Sequence, residues 1–134
     1  MRTAPPIGEF VDFRAACGWG TLDMTTAKKT LAAGILNITA YDTDNVAGFG
    51  RVVGYGAIYF YIQDFIAHED YRGFGLGTEM LQVLITQIQA IAASGAAIGL
   101  MSAINKEEFY HKFGFKSRPS NEYGAGMTLL TTDI

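Results

Sequence analysis

Leu76, Met80, Leu84 and Ile88 recur every fourth residue, and Leu81, Ile85 and Ile91 widen the same stripe. That period predicts one long amphipathic helix opening at Leu76 and ending near Ser94-Gly95. Earlier in the chain the pattern differs. Ile35 to Tyr41, Val46 to Val53 and Ala57 to Ala67 are rich in β-formers and read as three strands. Asp42-Thr43-Asp44-Asn45 and Gly54-Tyr55-Gly56 are turn-formers between them. Strands this close in sequence predict an antiparallel meander. Two short helices precede them. Phe10, Phe13 and Arg14 recur at helical spacing over Glu9 to Ala16, and Asp23 is placed to cap a second helix ending at Gly34. After the long helix come an apolar strand, Ala97 to Met101, and a short helix, Lys106 to Phe113. Phe115 to Ser117 and Met127 to Thr131 read as two last strands. The strand–helix–strand crossover in the middle implies one parallel strand pair. The expected class is therefore α+β, a mixed and mainly antiparallel sheet flanked by helices.

Length and composition narrow the class. The chain has 134 residues, 49% apolar and 17% charged, too apolar for disorder and of a size for one domain over residues 1–134. Residues 1–8 read as a loose tail. No apolar run approaches the ~18 residues of a membrane helix, and no apolar signal core stands at the start. The single cysteine, Cys17, excludes an internal disulfide and a cysteine metal cluster, and fits a reducing, cytoplasmic setting. A net charge of −3 without a basic tract gives no footprint for nucleic acid. No metal site is expected. The 16 glycines are many for this length, and their positions are informative.

Gly73, Gly75 and Gly77 alternate where the long helix begins, directly after Arg72. A helix start exposes unpaired N–H groups and positive partial charge. Glycines let a bulky anion approach them, and Arg72 adds a formal charge. The alternative is a plain glycine-rich turn. The spacing is not that of a Rossmann fingerprint, and no Lys-Ser/Thr pair follows to make a P-loop. The second informative segment is Asn105 to Phe115. Asn105 with Glu108 matches a capping box, and Gly114 a left-handed helix cap. Phe109, Phe113 and Phe115 read as core, His111 as surface, and Tyr110 as a packed tyrosine or a proton donor.

Taken together, Arg-x-x-Gly-x-Gly opening a helix and Phe-Tyr-x-x-x-Gly-Phe some thirty residues later resemble the GNAT acetyltransferase family. Gly18-Trp19, Gly50-Arg51 and Gly126-Met127 are similar to its serotonin N-acetyltransferase-like subgroup. The resemblance implies a sheet whose parallel strands splay apart to admit the pantetheine arm of acetyl-CoA. Phe65, Ile66 and Ala67 would pair with that arm through their main chain. Arg72, Gly73, Phe74, Gly75, Leu76 and Gly77 would hold the pyrophosphate, and Asn105 either contacts the cofactor or caps its helix. Small domains of the family often pair, so a homodimer is expected. Glu69 and Ala67 stand where the family has proline and valine, positions that act through the backbone. Tyr55 replaces an acid of the subgroup.

The implied reaction moves an acetyl group to a primary amine. An aliphatic amine with a pKa of about 10.4 must lose a proton before it attacks the thioester. Backbone N–H groups can stabilise the resulting oxyanion. The leaving thiolate, with a pKa of about 8.5, needs only modest help from an acid, for which the resemblance implies Tyr110. Three routes stay open for the base. Ile58, Phe60, Ile62 and Asp64 share strand parity, which would set Asp64 in an apolar row that raises its pKa. His68 at the strand's end is the second candidate, and a water chain the third. Trp19, Tyr41, Tyr59 and Tyr61 offer aromatic surface to an aryl acceptor or simply pack the sheet. Gly48 and Gly50 mark a possible approach of the acceptor to the sheet. The competing reading is a non-catalytic acyl-CoA-binding sensor or interaction module.

Overall fold

Phe10 and Phe13 recur on one side of α1, Ile7–Ala16, and both are buried. Ala27 and Leu31 do the same for α2, Met24–Ala33. Asp23 caps α2 as expected, accepting from the Thr26 N–H at 2.8 Å and the Thr26 hydroxyl at 2.9 Å. A computed structural model describes residues 3–134 of the chain. It places β1 at Leu36–Asp42, β2 at Asn45–Gly54, β3 at Tyr59–Ala67 and β4 at Ala97–Leu100. The long helix is α3, Leu76–Ile91, and the short one α4, Glu107–His111. The strands form one sheet in the order β1-β2-β3-β4. The first two pairings are antiparallel and β3–β4 is parallel, as the crossover requires.

Two layers cover this sheet. Phe49 of β2 and Ile66 of β3 join Phe10, Phe13, Ala27 and Leu31 in one core beneath α1 and α2. The neighbours of Phe49 point the other way. A Cβ on Gly48 would lie 2.9 Å from the Met80 sulfur, and one on Gly50 the same distance from Leu84 Cδ1. Both partners belong to α3, so α3 lies on the opposite face. The two glycines are therefore there to admit α3 and the adjoining strand, not an acceptor.

The sheet departs from its expected alternation in β3. Val52 pairs with Ile62 and Arg51 with Gln63, yet Phe49 pairs with Ile66. Asp64 and Phe65 together thus oppose the one residue Gly50, which is a β-bulge. Asp64 carries the strain of it, with φ at 53°. Beyond the bulge the faces exchange. Ile62 shares the α3 face with Val52, while Ile66 shares the α1/α2 face with Phe49. The common face predicted for Ile58, Phe60, Ile62 and Asp64 does not hold, and Ile58 lies outside the strand and is exposed.

The expected tail and the last strands also differ. Ile7 and Gly8 are helical, Ala4 and Ile7 pack against the core, and the Thr39 hydroxyl donates to the Thr3 carbonyl at 2.7 Å. Residues 1–2 of the expected tail lie outside the described residues. Phe115 to Ser117 and Met127 to Leu130 are irregular, and Thr131–Asp133 is a 3-10 turn. The chain divides into two compact units, Met1–Leu100 and Met101–Ile134. The first holds the whole sheet and α1 to α3. The second holds α4 and the irregular C-terminal segment, where β-prone residues such as Leu129 and Leu130 are exposed.

Candidate active site

The β3–β4 ladder ends at Ile62 and Leu100, but β3 runs on to Ala67. Phe65, Ile66 and Ala67 therefore lie past the last pairing with β4. On the β2 side, Ile66 and Ala67 stay paired with Phe49 and Gly48. Chain direction then changes through His68. Its N–H donates to the Ala47 carbonyl at 2.7 Å, and its Nδ1 accepts from the Asp70 N–H at 3.1 Å. That cap starts a 3-10 turn, Glu69–Tyr71. The Tyr71 hydroxyl donates to Asp42 at 2.8 Å, anchoring the turn to the β1–β2 hairpin. This bond and the nearby carboxylates raise the Tyr71 pKa. Arg72 Nε donates to the Ala67 carbonyl at 3.2 Å, tying the start of the glycine segment to the end of β3.

Gly75 is the N-cap of α3, with φ at 82° and no side-chain cap. An Asp or Ser there would turn its oxygen onto the first-turn N–H groups. Glycine cannot, and it adopts the left-handed conformation without a Cβ penalty. The N–H groups of Leu76 and Gly77 are left to an external acceptor at the positive end of a 16-residue helix. Nothing lies within 4 Å of where a Cβ would stand on Gly73 or Gly75, and Phe74 is exposed. The loop is open rather than packed. Donor type, charge and space fit a diphosphate.

Asp64 is buried on the α1/α2 side of the bulge. One oxygen accepts from Arg14, the other from Arg51 Nη1 at 2.9 Å. Arg51, only 3% exposed, also donates from Nη2 to the Thr30 carbonyl at 2.6 Å. Both guanidiniums stand within 6 Å of the Phe10 ring centre. Arg14 is the partner that strand patterning did not foresee, because only the bulge turns Asp64 towards α1. His68 is half-buried between the rings of Phe13 and Tyr71, at 5.5 and 6.2 Å.

In the second unit, Phe115 N–H donates to the Tyr110 carbonyl at 3.3 Å and Gly114 N–H to the His111 carbonyl at 3.0 Å. With Gly114 at φ 95° this is a Schellman cap. Its apolar contact is between the rings of Tyr110 and Phe115, 5.9 Å apart. The Tyr-x-x-x-Gly-Phe spacing is thus what a helix needs to stop while holding Tyr110 against Phe115. Burial raises the Tyr110 pKa, which keeps the phenol protonated. His111 is engaged with Glu108 and Ser117. Asn105 does not cap α4. The cap is Lys106, without a side-chain bond, and Asn105 sits before it at φ 65°.

Residues 35–117 match the acetyltransferase (GNAT) domain family. A protein of unknown function from meticillin-resistant Staphylococcus aureus, classed as a probable acetyltransferase, is similar in structure. It is 25% identical, with a TM-score of 0.86 over 97% of this chain and 96% of that one. A GNAT-family acetyltransferase from Streptococcus pneumoniae is 21% identical, with a TM-score of 0.79 over 97% and 94%. An aminoglycoside 6'-N-acetyltransferase complexed with coenzyme A is 15% identical, with a TM-score of 0.67 over 88% and 84%. No curated protein matches significantly. The likeness to the serotonin N-acetyltransferase-like subgroup finds no support among these relatives.

Proposed function

The chain belongs to the GNAT acetyltransferase family, and from that premise we propose that it transfers an acetyl group from acetyl-CoA to a primary amine. The observation that carries this is the join between β3 and α3. A strand that outruns its parallel neighbour leads, through an arginine, into a helix capped by a bare glycine. In this reading the main chain of Phe65, Ile66 and Ala67 holds the pantetheine arm. The N–H groups of Gly73 to Gly77 hold the pyrophosphate, Arg72 adds its charge while its own N–H donates to the Glu69 carbonyl at 3.2 Å, and Asn105 adds a cofactor contact. Acetyl-CoA supplies, when bound, an acyl group activated as a thioester.

Tyr110 donates a proton to the departing sulfur. The ammonium form of the acceptor first releases a proton to solvent. Its nitrogen then bonds to the acetyl carbonyl carbon, the carbon–sulfur bond breaks, and the surplus amide proton leaves through water. Neither candidate base takes it directly in this reading. Each Asp64 oxygen already accepts from a guanidinium. Neutral His68, accepting at Nδ1, carries its own proton on Nε2. Asp64 and His68 then position the α1/α2 side and the turn. We read residues 1–134 as one domain, since the family match runs from 35 to 117 across both units. Cytoplasmic residence and homodimerisation belong to the same proposal.

The test is thiol release from acetyl-CoA with a panel of amines, beside direct measurement of CoA binding. Release that depends on an amine supports the transferase. Tight CoA binding with no release for any amine supports the sensor module instead.

A further inference from the structure

We propose that the cleft beneath α1 and α2 recognises an anionic group, carboxylate or phosphate, carried by the acceptor amine. The proposal deepens the transferase reading and rests on it for the acceptor's role. The cleft holds about 470 Å³ and is lined by Arg14 of α1, Lys29 and Thr30 of α2, Arg51 of β2, and Gln63 and Asp64 of β3. The bulge is why both Gln63 and Asp64 reach it. The residue after Asp64 begins the segment assigned to the acyl donor, so the cleft opens at the same bend of β3.

Its charge is opposite in sign to that of the molecule. Three cations, Arg14, Lys29 and Arg51, face one carboxylate, Asp64, in a chain of net charge −3. Asp64 does not consume their hydrogen-bonding capacity. Arg51 is 3% exposed, yet its Nε has no acceptor, and neither does the buried Nε of Arg14. Those two Nε atoms are shut off from solvent, so what an oxyanion in the cleft offsets is the cluster's surplus of positive charge, carried by Arg14, Lys29 and Arg51 against Asp64 alone. A plain ammonium would meet like charge and find both Asp64 oxygens already accepting hydrogen bonds. An amine carrying an anionic group is held by that group, with its nitrogen directed away from the guanidiniums.

The experiment compares matched amines on the full chain by titration calorimetry in phosphate-free buffer. The pairs are 4-aminobutyrate with butylamine, and O-phosphoethanolamine with ethanolamine. The anionic member is expected to bind about tenfold or more tightly than its partner, a difference that added salt reduces. Whichever pair shows the larger difference identifies carboxylate or phosphate. Lys29→Gln changes an exposed residue and should shrink the difference several-fold, about as an exposed charge pair allows. Arg14→Gln should shrink it further. Equal binding of both members, no binding of any probe, or a difference that survives both variants overturns the proposal. Selective binding without thiol release from acetyl-CoA would instead retain the cleft and fail the transferase reading.

Discussion

A phenol serves as a proton donor only while it keeps its proton. Burial lifts the Tyr110 pKa above its usual value of about 10. The folded chain therefore binds this proton more tightly than the unfolded chain. The stabilisation is present below the unfolded value and is lost as pH rises through the folded one. Tyr110→Phe should lower kcat by about 100-fold, the low end for a general acid, because a thiolate leaves readily. CoA affinity should not change. An unaltered kcat with an unaltered alkaline limb of the pH profile would remove the assignment. The ion pair of Arg51 and Asp64 calls for a different measurement. Arg51→Met strands a buried carboxylate with Arg14 alone, and urea denaturation should show a loss of about 3–5 kcal/mol. Wild-type stability would show that Arg14 suffices. The helix cap that holds Tyr110 against Phe115 was legible because its motif is local, with Gly114 and Phe115 a few residues away. The Arg14–Asp64 contact, fifty positions apart in the chain, leaves no periodic trace.

At the scale of elements, glycines divide into those that admit neighbours and those that shape backbone. Gly48→Ala would bring a Cβ to 2.7 Å from the Ile66 carbonyl. Backbone cannot move aside as a side chain can, so a loss of about 1–3 kcal/mol is expected in thermal denaturation, with CoA bound normally by the folded fraction. Gly75→Val has open space around it. Its cost in stability should be about 1–2 kcal/mol from the left-handed conformation, while CoA binding should be abolished. Retained binding would sink the pyrophosphate assignment. Helix periodicity placed α3 within a few residues, since Met80, Leu84 and Ile88 are buried as their spacing predicts. The parity of β3 misled because it assumes an uninterrupted strand. One residue in a left-handed conformation is enough to break it, and Asp64 is not a residue type that advertises a bulge.

Across the whole molecule, burial is uneven. The apolar core of the first unit is built from Phe10, Phe49, Val52, Leu81, Leu84 and others that are fully enclosed, whereas Met127, Leu129 and Leu130 are exposed. Native-state hydrogen exchange should find its slowest amides in β2 and α3 and rapid exchange over residues 127–130. Slow exchange there would restore the last strand that its β-prone residues predict. Fold class and the parallel pair were legible because they follow from element order. The ending was not, since β-propensity describes a surface suited to a sheet and says nothing of whether a partner strand is present.

The bulge at Asp64 has a consequence for how such a chain changes over time. Ile62 before it answers to α3 and Ile66 after it, at the same parity, to α1 and α2, so one strand carries two separate contracts with its surroundings. Substitutions that reshape the α1/α2 side need no matching change under α3. Deleting a paired residue outside the bulge would break these agreements, exchanging the side chains beyond it between the layers, whereas losing Asp64 itself would restore plain alternation with Ile66 still opposite Phe49. Outside the bulge, variation in this strand should therefore run through replacement, with its length held constant.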